Sequence, residues 1–202
     1  MRKNQSVKSL SIIELAQNEL LTNGVRKFSI DQFSLRHHIS KKTIYQIFPS
    51  KEAFVNAVLL NFYEDIFQQI KSLPENDREP MKQLFLILKT ILDKLAKIYP
   101  QIIYEIKLYY PQVWRRIEEF QREIINKLVN YLRRAQQKGQ IRADLDLEFI
   151  ALLVMQIAQY TFQPEFFIQS SFSIKDLVRN LADLIINGML INPNRIEFDS
   201  LT

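Results

Sequence analysis

The chain has 202 residues, 47% of them hydrophobic and 24% charged, which is material for a sizeable core and excludes an intrinsically disordered chain. It contains no cysteine, so disulfides and thiolate metal sites are excluded and a reducing compartment is expected. The net charge of +5 lies wholly in residues 1–54, which hold nine Lys/Arg against four Asp/Glu, whereas 55–202 hold 18 of each; a basic head on a neutral body suggests a polyanion partner for the head.

The first twenty residues carry no apolar segment of signal-peptide type. The longest apolar run, 149–155, is seven residues and too short to span a bilayer. A cytoplasmic protein without a membrane partner is expected. Glycine occurs only at 24, 139 and 188, and prolines punctuate the chain at 49, 74, 80, 100, 111, 164 and 193. Between these marks apolar residues recur every three or four positions, the helical period, with no sustained alternation of strand type. The fold class expected is all-α, with about nine helices.

The first helix is expected over 7–23. Ile12, Ala16 and Leu20 share one face, and Gly24 is placed to stop the helix in a left-handed conformation. Three serines then stand at the starts of three helices in 22 residues. Ser29 opens a capping-box pattern with Gln32, Ser40 precedes Lys41-Lys42-Thr43, and Ser50 precedes Lys51-Glu52-Ala53. Short helices in such close succession match a helix-turn-helix, whose second helix enters the DNA major groove. Phe33, Ile39, Ile44 and Phe48 are expected to close a small core with Ile12, Ala16 and Leu20. The fourth helix continues from Ser50 through Ile70.

Residues 73–80, LPENDREP, read as a polar linker. A helix is expected over 81–98, a short one between Pro100 and Pro111, and a long one from Pro111 towards Gly139. The helix over 146–162 is apolar on every side from Phe149 to Met155, so it must be buried on every side. One side would face its own core and the other a second subunit. The last helix starts at Ser173, with Asp176 completing a capping box, and Gly188 would allow a close neighbour. These last two helices form the expected homodimer surface.

Lys41, Lys42 and Lys51 fall in the first turns of two helices, where the helix dipole disfavours cations by about 0.3–1 kcal/mol each. Stability alone would put Asp or Glu there. Phosphate groups would reverse the sign of that cost.

At these residues the chain resembles the DNA-binding domain of the TetR family of bacterial transcriptional regulators. The resemblance rests on Ile12, Ala16, Gly24 and Ser29, then Ile39-Ser40-Lys41-Lys42-Thr43-Ile44-Tyr45, then Phe48-Pro49-Ser50-Lys51-Glu52. It departs from the family pattern twice: His38 stands where the turn glycine is usual, and Lys42 where the recognition helix carries glycine. His38 is therefore expected in a left-handed conformation. The resemblance implies an N-terminal helix-turn-helix domain over 1–54 and a ligand-binding and dimerisation domain over 55–202. It implies a regulator, a repressor by expectation, whose binding to palindromic operator DNA responds to a small molecule. Ser29, Thr43, Tyr45 and Lys51 would meet phosphates, with Ser40 starting the recognition helix. Lys41, Lys42 and Gln46 would reach base edges.

The body offers no motif for its ligand. Tyr104, Leu108, Trp114, Phe120, Met155 and Tyr160 are the expected pocket residues, suited to an apolar or aromatic effector. No cofactor or metal is expected; His37 and His38 are adjacent and diverge on a helix. A helical interaction scaffold is the alternative, but the 34–40-residue repeat it would need is absent. An enzyme finds no nucleophile–base pattern or phosphate loop here.

Overall fold

A computed structural model describes residues 2–73, 79–95, 98, 100–161 and 173–189. Its regular elements are nine helices among the described residues: α1 (Arg2–Asn23), α2 (Ile30–Arg36), α3 (Lys41–Ile47), α4 (Lys51–Ser72), α5 (Pro80–Leu95), α6 (Pro100–Tyr109), α7 (Pro111–Gln137), α8 (Leu147–Thr161) and α9 (Ile174–Met189). The all-helical class is as expected. The expected linker falls, at 74–78, outside the described residues.

The ends of the helices follow local chemistry. Gly24 takes φ +89° and returns its N–H to the carbonyl of Leu20 at 3.1 Å, ending α1 where a side chain would be strained. Gly139 at φ +66° ends α7 in the same way, with the N–H of Gln140 reaching the carbonyl of Ala135. At α9 the capping box is complete. The Ser173 hydroxyl accepts the Asp176 N–H at 3.0 Å, and the Asp176 carboxylate accepts the Ser173 N–H at 3.1 Å.

The chain forms two compact units: residues 1–65 with 97–117, and 66–96 with 118–202. The chain passes between them at 65/66, 96/97 and 117/118, whereas the sequence suggested a single division after residue 54. Helix α6, which the sequence assigns to the body, packs within the first unit. Its Ile102 and Ile106 are fully buried, and one carboxylate ties it to the end of α1. Glu105, only 9% exposed, accepts the backbone N–H of Val25 at 2.9 Å and of Arg26 at 3.3 Å. Those N–H groups lie just past the end of α1 and have no helical partner of their own.

The core of the first unit holds the expected Ile12, Ala16, Leu20, Phe33, Ile44 and Phe48, all buried, with Ile39 half-buried. It is larger than the sequence implied, because Val25, Phe28, Phe54, Val55, Ile102 and Ile106 are buried as well. Phe33 and Phe54 are centred 5.5 Å apart, Phe28 lies within 5.7 Å of both, and Phe48 stands 4.8 Å from Phe54. Such tilted aromatic contacts add about 0.5–1.5 kcal/mol per pair to the burial of the rings.

In the second unit Leu84, Val129, Leu132, Ala135, Ile141, Leu147, Ala182 and Met189 form one buried cluster. The loop after α7 is held by Gln136, whose amide donates to the carbonyls of Arg142 and Leu145 at 3.0 Å each. Phe67 and Phe120 stack at 4.7 Å. On α8, the apolar-all-round stretch does not bury all round within one chain: Phe149, Leu152 and Leu153 are exposed. No described helix is long and apolar enough to cross a membrane.

Candidate nucleic-acid interface

The site is built on α2 and α3 and the turn between them. The Ser29 hydroxyl accepts the Gln32 N–H at 3.5 Å, a long cap, while the Ser29 carbonyl takes the Phe33 N–H at 2.9 Å. Phe33 on the inner side of α2 is fully buried and fixes the helix to the core. The turn is closed from both sides of one residue pair. Ile39 donates its N–H to the Ser34 carbonyl at 3.1 Å, and the Ser34 hydroxyl donates to the Ile39 carbonyl at 2.5 Å. His38 between them has φ +53°, the left-handed conformation expected of it. His37 turns the other way. Its ring lies 4.6 Å from that of Phe33, and its Nε2 is 2.9 Å from Glu19 Oε1, which Arg36 also meets at 2.7 Å. Both histidines lie past the end of α2 at Arg36 and not on a helix. Among the described residues no group of three His, Cys, Asp or Glu is placed to hold a metal.

Helix α3 begins at a well-formed cap. The Ser40 hydroxyl accepts the Thr43 N–H at 3.1 Å and lies 2.9 Å from the Thr43 hydroxyl. Ile44 is fully buried, so the helix has one inner face. Lys41, Lys42, Tyr45 and Gln46 are exposed on the other side, and Thr43 is half-buried at its margin. Their spacing of one and four residues puts these four side chains on a single outer stripe. Ser50 caps α4 by accepting the Ala53 N–H at 3.0 Å, which leaves Lys51 as the first residue of that helix.

The charge argument changes at Lys41. Its ammonium lies 2.8 Å from Asp31 Oδ1, in the first turn of α2. Asp31 suits that helix start, and it gives Lys41 a partner without any phosphate. Among the described residues Lys42 and Lys51 have no such ion-pair partner. No local signal could have paired Asp31 with Lys41, because the pairing depends on the angle between two helices. Ser34 and Glu105 were likewise missed. Both act through backbone groups, which leave no trace in side-chain patterns.

The expected ligand residues fall in both units. Tyr104 and Trp114 are half-buried and Leu108 is exposed, all three in the first unit. The Lys107 ammonium stands 5.6 Å from the centre of the Trp114 ring. Phe120 is buried in the second unit against Phe67. The side chains of Met155 and Tyr160 lie outside the described residues. The second unit has an open groove of about 240 Å³ between α4 and α7, lined by Phe67, Ile70, Lys71, Glu123, Ile124 and Lys127. None of these six was expected.

No protein-family model matches the chain. It is 24% identical over 169 residues to an uncharacterized HTH-type transcriptional regulator, YvaF, of Bacillus subtilis, a match covering 80% of this chain and 85% of that one. Among solved structures it is similar to a TetR/AcrR-family transcriptional regulator from Thermobifida fusca, with a TM-score of 0.63 at 19% identity over 90% of this chain and 97% of that one. It is also similar to the transcriptional regulator FadR from Bacillus subtilis in complex with stearoyl-CoA, with a TM-score of 0.56 at 17% identity over 89% and 98%. The chain has the all-helical fold of the TetR/AcrR-family regulator from Thermobifida fusca.

Proposed function

We infer from this shared fold and from the outer stripe of α3 that the chain is a sequence-specific DNA-binding transcriptional regulator. The single observation that carries the reading is that stripe. Lys41, Lys42, Tyr45 and Gln46 stand exposed above a fully buried Ile44, on the second helix of the helix-turn-helix, the one that enters a major groove. Lys42 and Gln46 are the base readers in this account, with Lys41 once it leaves Asp31. Ser29, Ser40, Thr43, Tyr45 and Lys51 hold phosphates and set the register. The basic head over 1–54 supplies the attraction, and the remainder over 55–202 supplies dimerisation and response.

The regulator acts as a homodimer through α8 and α9. The support is the exposed Phe149, Leu152 and Leu153 on α8 and Leu184 on α9, large apolar side chains that a lone chain leaves in water. A small apolar effector bound in the C-terminal part modulates operator affinity, and repression is the expected sense. The similar regulator bound to stearoyl-CoA supports a ligand with a long apolar portion. The reading is of a binding protein working in the cytoplasm, not of an enzyme.

The test is titration of the full chain into a mixed-sequence duplex between 50 and 200 mM salt. Binding carried by six to ten phosphate contacts weakens about 10³- to 10⁵-fold over that range. Absence of binding at the lowest salt would favour a helical interaction scaffold instead.

A further inference from the structure

We propose that Asp31 sets DNA specificity in exchange with Lys41. It holds the lysine away from phosphates on a random duplex and releases it only where a base edge repays the exchange. The inference rests on the DNA-binding reading and deepens it.

The geometry is that of an exchangeable pair. Lys41 Nζ and Asp31 Oδ1 are 2.8 Å apart, yet their side chains are 52% and 64% exposed. A pair this open is held weakly and can trade partners in water. Both ends lie at the reading surface. Lys41 is the first residue of α3 and shares its outer stripe with Lys42, Tyr45 and Gln46, while Asp31 stands in the first turn of the packed helix α2.

Chemistry makes the pair asymmetric towards DNA. A carboxylate has no hydrogen to give a phosphate, so Asp31 beside the backbone can only repel it. On a duplex of arbitrary sequence two arrangements are open. Lys41 can stay with Asp31, and the interface has one phosphate contact fewer. Or Lys41 can leave, and Asp31 is stranded near the backbone. Each lowers non-specific affinity. On the cognate site Lys41 donates to guanine O6 or N7, and the freed Asp31 can accept from a cytosine or adenine amino group. The carboxylate therefore depresses random binding more than cognate binding, and the ratio between them is what a regulator needs among many competing sites.

The experiment uses the full-length chain and two duplexes of equal length, one recovered by selection from a random pool and one scrambled from it. Affinities are measured across a salt series for the wild type, Asp31→Asn, Lys41→Ala and the double variant. The expected result is that Asp31→Asn tightens the scrambled duplex about 3- to 10-fold and steepens its log–log salt slope by about 0.9, one released counterion. The selected duplex changes less than about two-fold, so the ratio of the two affinities falls. In the Lys41→Ala background the Asp31→Asn gain on the scrambled duplex falls to the smaller effect of one fewer negative charge, alike on both duplexes. Two results would overturn the proposal. One is an equal gain on both duplexes in the wild-type background. The other is a gain on the scrambled duplex that is as large in the Lys41→Ala background as in the wild type. Asp31→Ser serves as a second neutral variant if Asp31→Asn fails to fold, and Asp31→Glu should behave as wild type. Failure of the wild type to bind any duplex would instead sink the DNA-binding reading itself, and this proposal with it.

Discussion

Glu105 and Val25 stand 80 positions apart, and the carboxylate of one accepts the backbone N–H of the other at 2.9 Å. The same oxygen takes the N–H of Arg26 at 3.3 Å, while the Arg26 guanidinium lies 5.5 Å from the centre of the Tyr109 ring on the same helix, α6. The turn that leads into α2 is thus held by α6 through its backbone. Glu105→Ala strips a buried acceptor from two N–H groups, and a destabilisation of about 2–3 kcal/mol is expected. Glu105→Gln keeps an oxygen in place and should cost about half of that. Urea denaturation of the three proteins measures both. Equal losses for the two variants would mean that the acceptor is not what matters.

Gly24 belongs to the same arrangement. Its φ of +89° is one that L side chains rarely adopt, and a Cβ there would come within 3.2 Å of Glu105 Oε2. Gly24→Ala should cost about 1–2 kcal/mol. A melting temperature unchanged from wild type would contradict this.

His38 is the opposite case. It holds φ +53° with a side chain, where glycine would sit without strain. His38→Gly is expected to stabilise the chain by about 0.5–1 kcal/mol after the added freedom of the unfolded glycine is set against the relief. At this chain length that is a rise of about 1–4 °C in Tm, read by calorimetry. A fall in Tm would show that the imidazole contributes more than its backbone costs.

These three positions show what the sequence could and could not say. His38 was legible because its strain is local: a histidine replaced the glycine that such a turn takes. The caps at Ser40, Ser50 and Ser173 were legible for the same reason, since each hydroxyl reaches a backbone N–H three residues on. The stripe Ile12, Ala16 and Leu20 followed from the helical period. Glu105 was not legible. It is one of 22 acidic residues, and nothing near it in sequence marks the N–H groups it meets. The Asp31–Lys41 pair was hidden because it depends on how α2 and α3 cross. The apolar run on α8 was readable as unusual, but which of its faces stays in water came only from the packing of the second unit.

The roles along α3 and α4 separate by experiment. Lys51→Ala should weaken selected and scrambled duplexes by the same factor and lower the salt slope by about 0.9. Gln46→Ala or Lys42→Ala should instead relax preference at one base position, with about 1–3 kcal/mol of discrimination lost there. Binding to single-substituted duplexes reads this directly. Identical shifts for all three variants on every duplex would show that the phosphate and base roles are wrongly divided.

The apolar face of α8 carries its own prediction. Leu152 is 60% exposed and lies one turn from Phe149. Leu152→Lys places a charge where a second subunit would close, and sedimentation velocity at micromolar concentration should show a monomer in place of a dimer. Operator affinity should fall about tenfold or more as the two half-sites lose their linked readers. A variant that stays dimeric would move the interface elsewhere.

The most direct measurement is selection of bound sequences by the full chain from a pool of random duplexes, followed by alignment of the survivors. The account predicts a palindromic consensus whose half-sites lie one helical turn or a multiple apart, enriched through the outer stripe of α3 and lost in Gln46→Ala. A pool that emerges without enrichment, or a consensus that Gln46→Ala and Lys42→Ala leave unchanged, would contradict it.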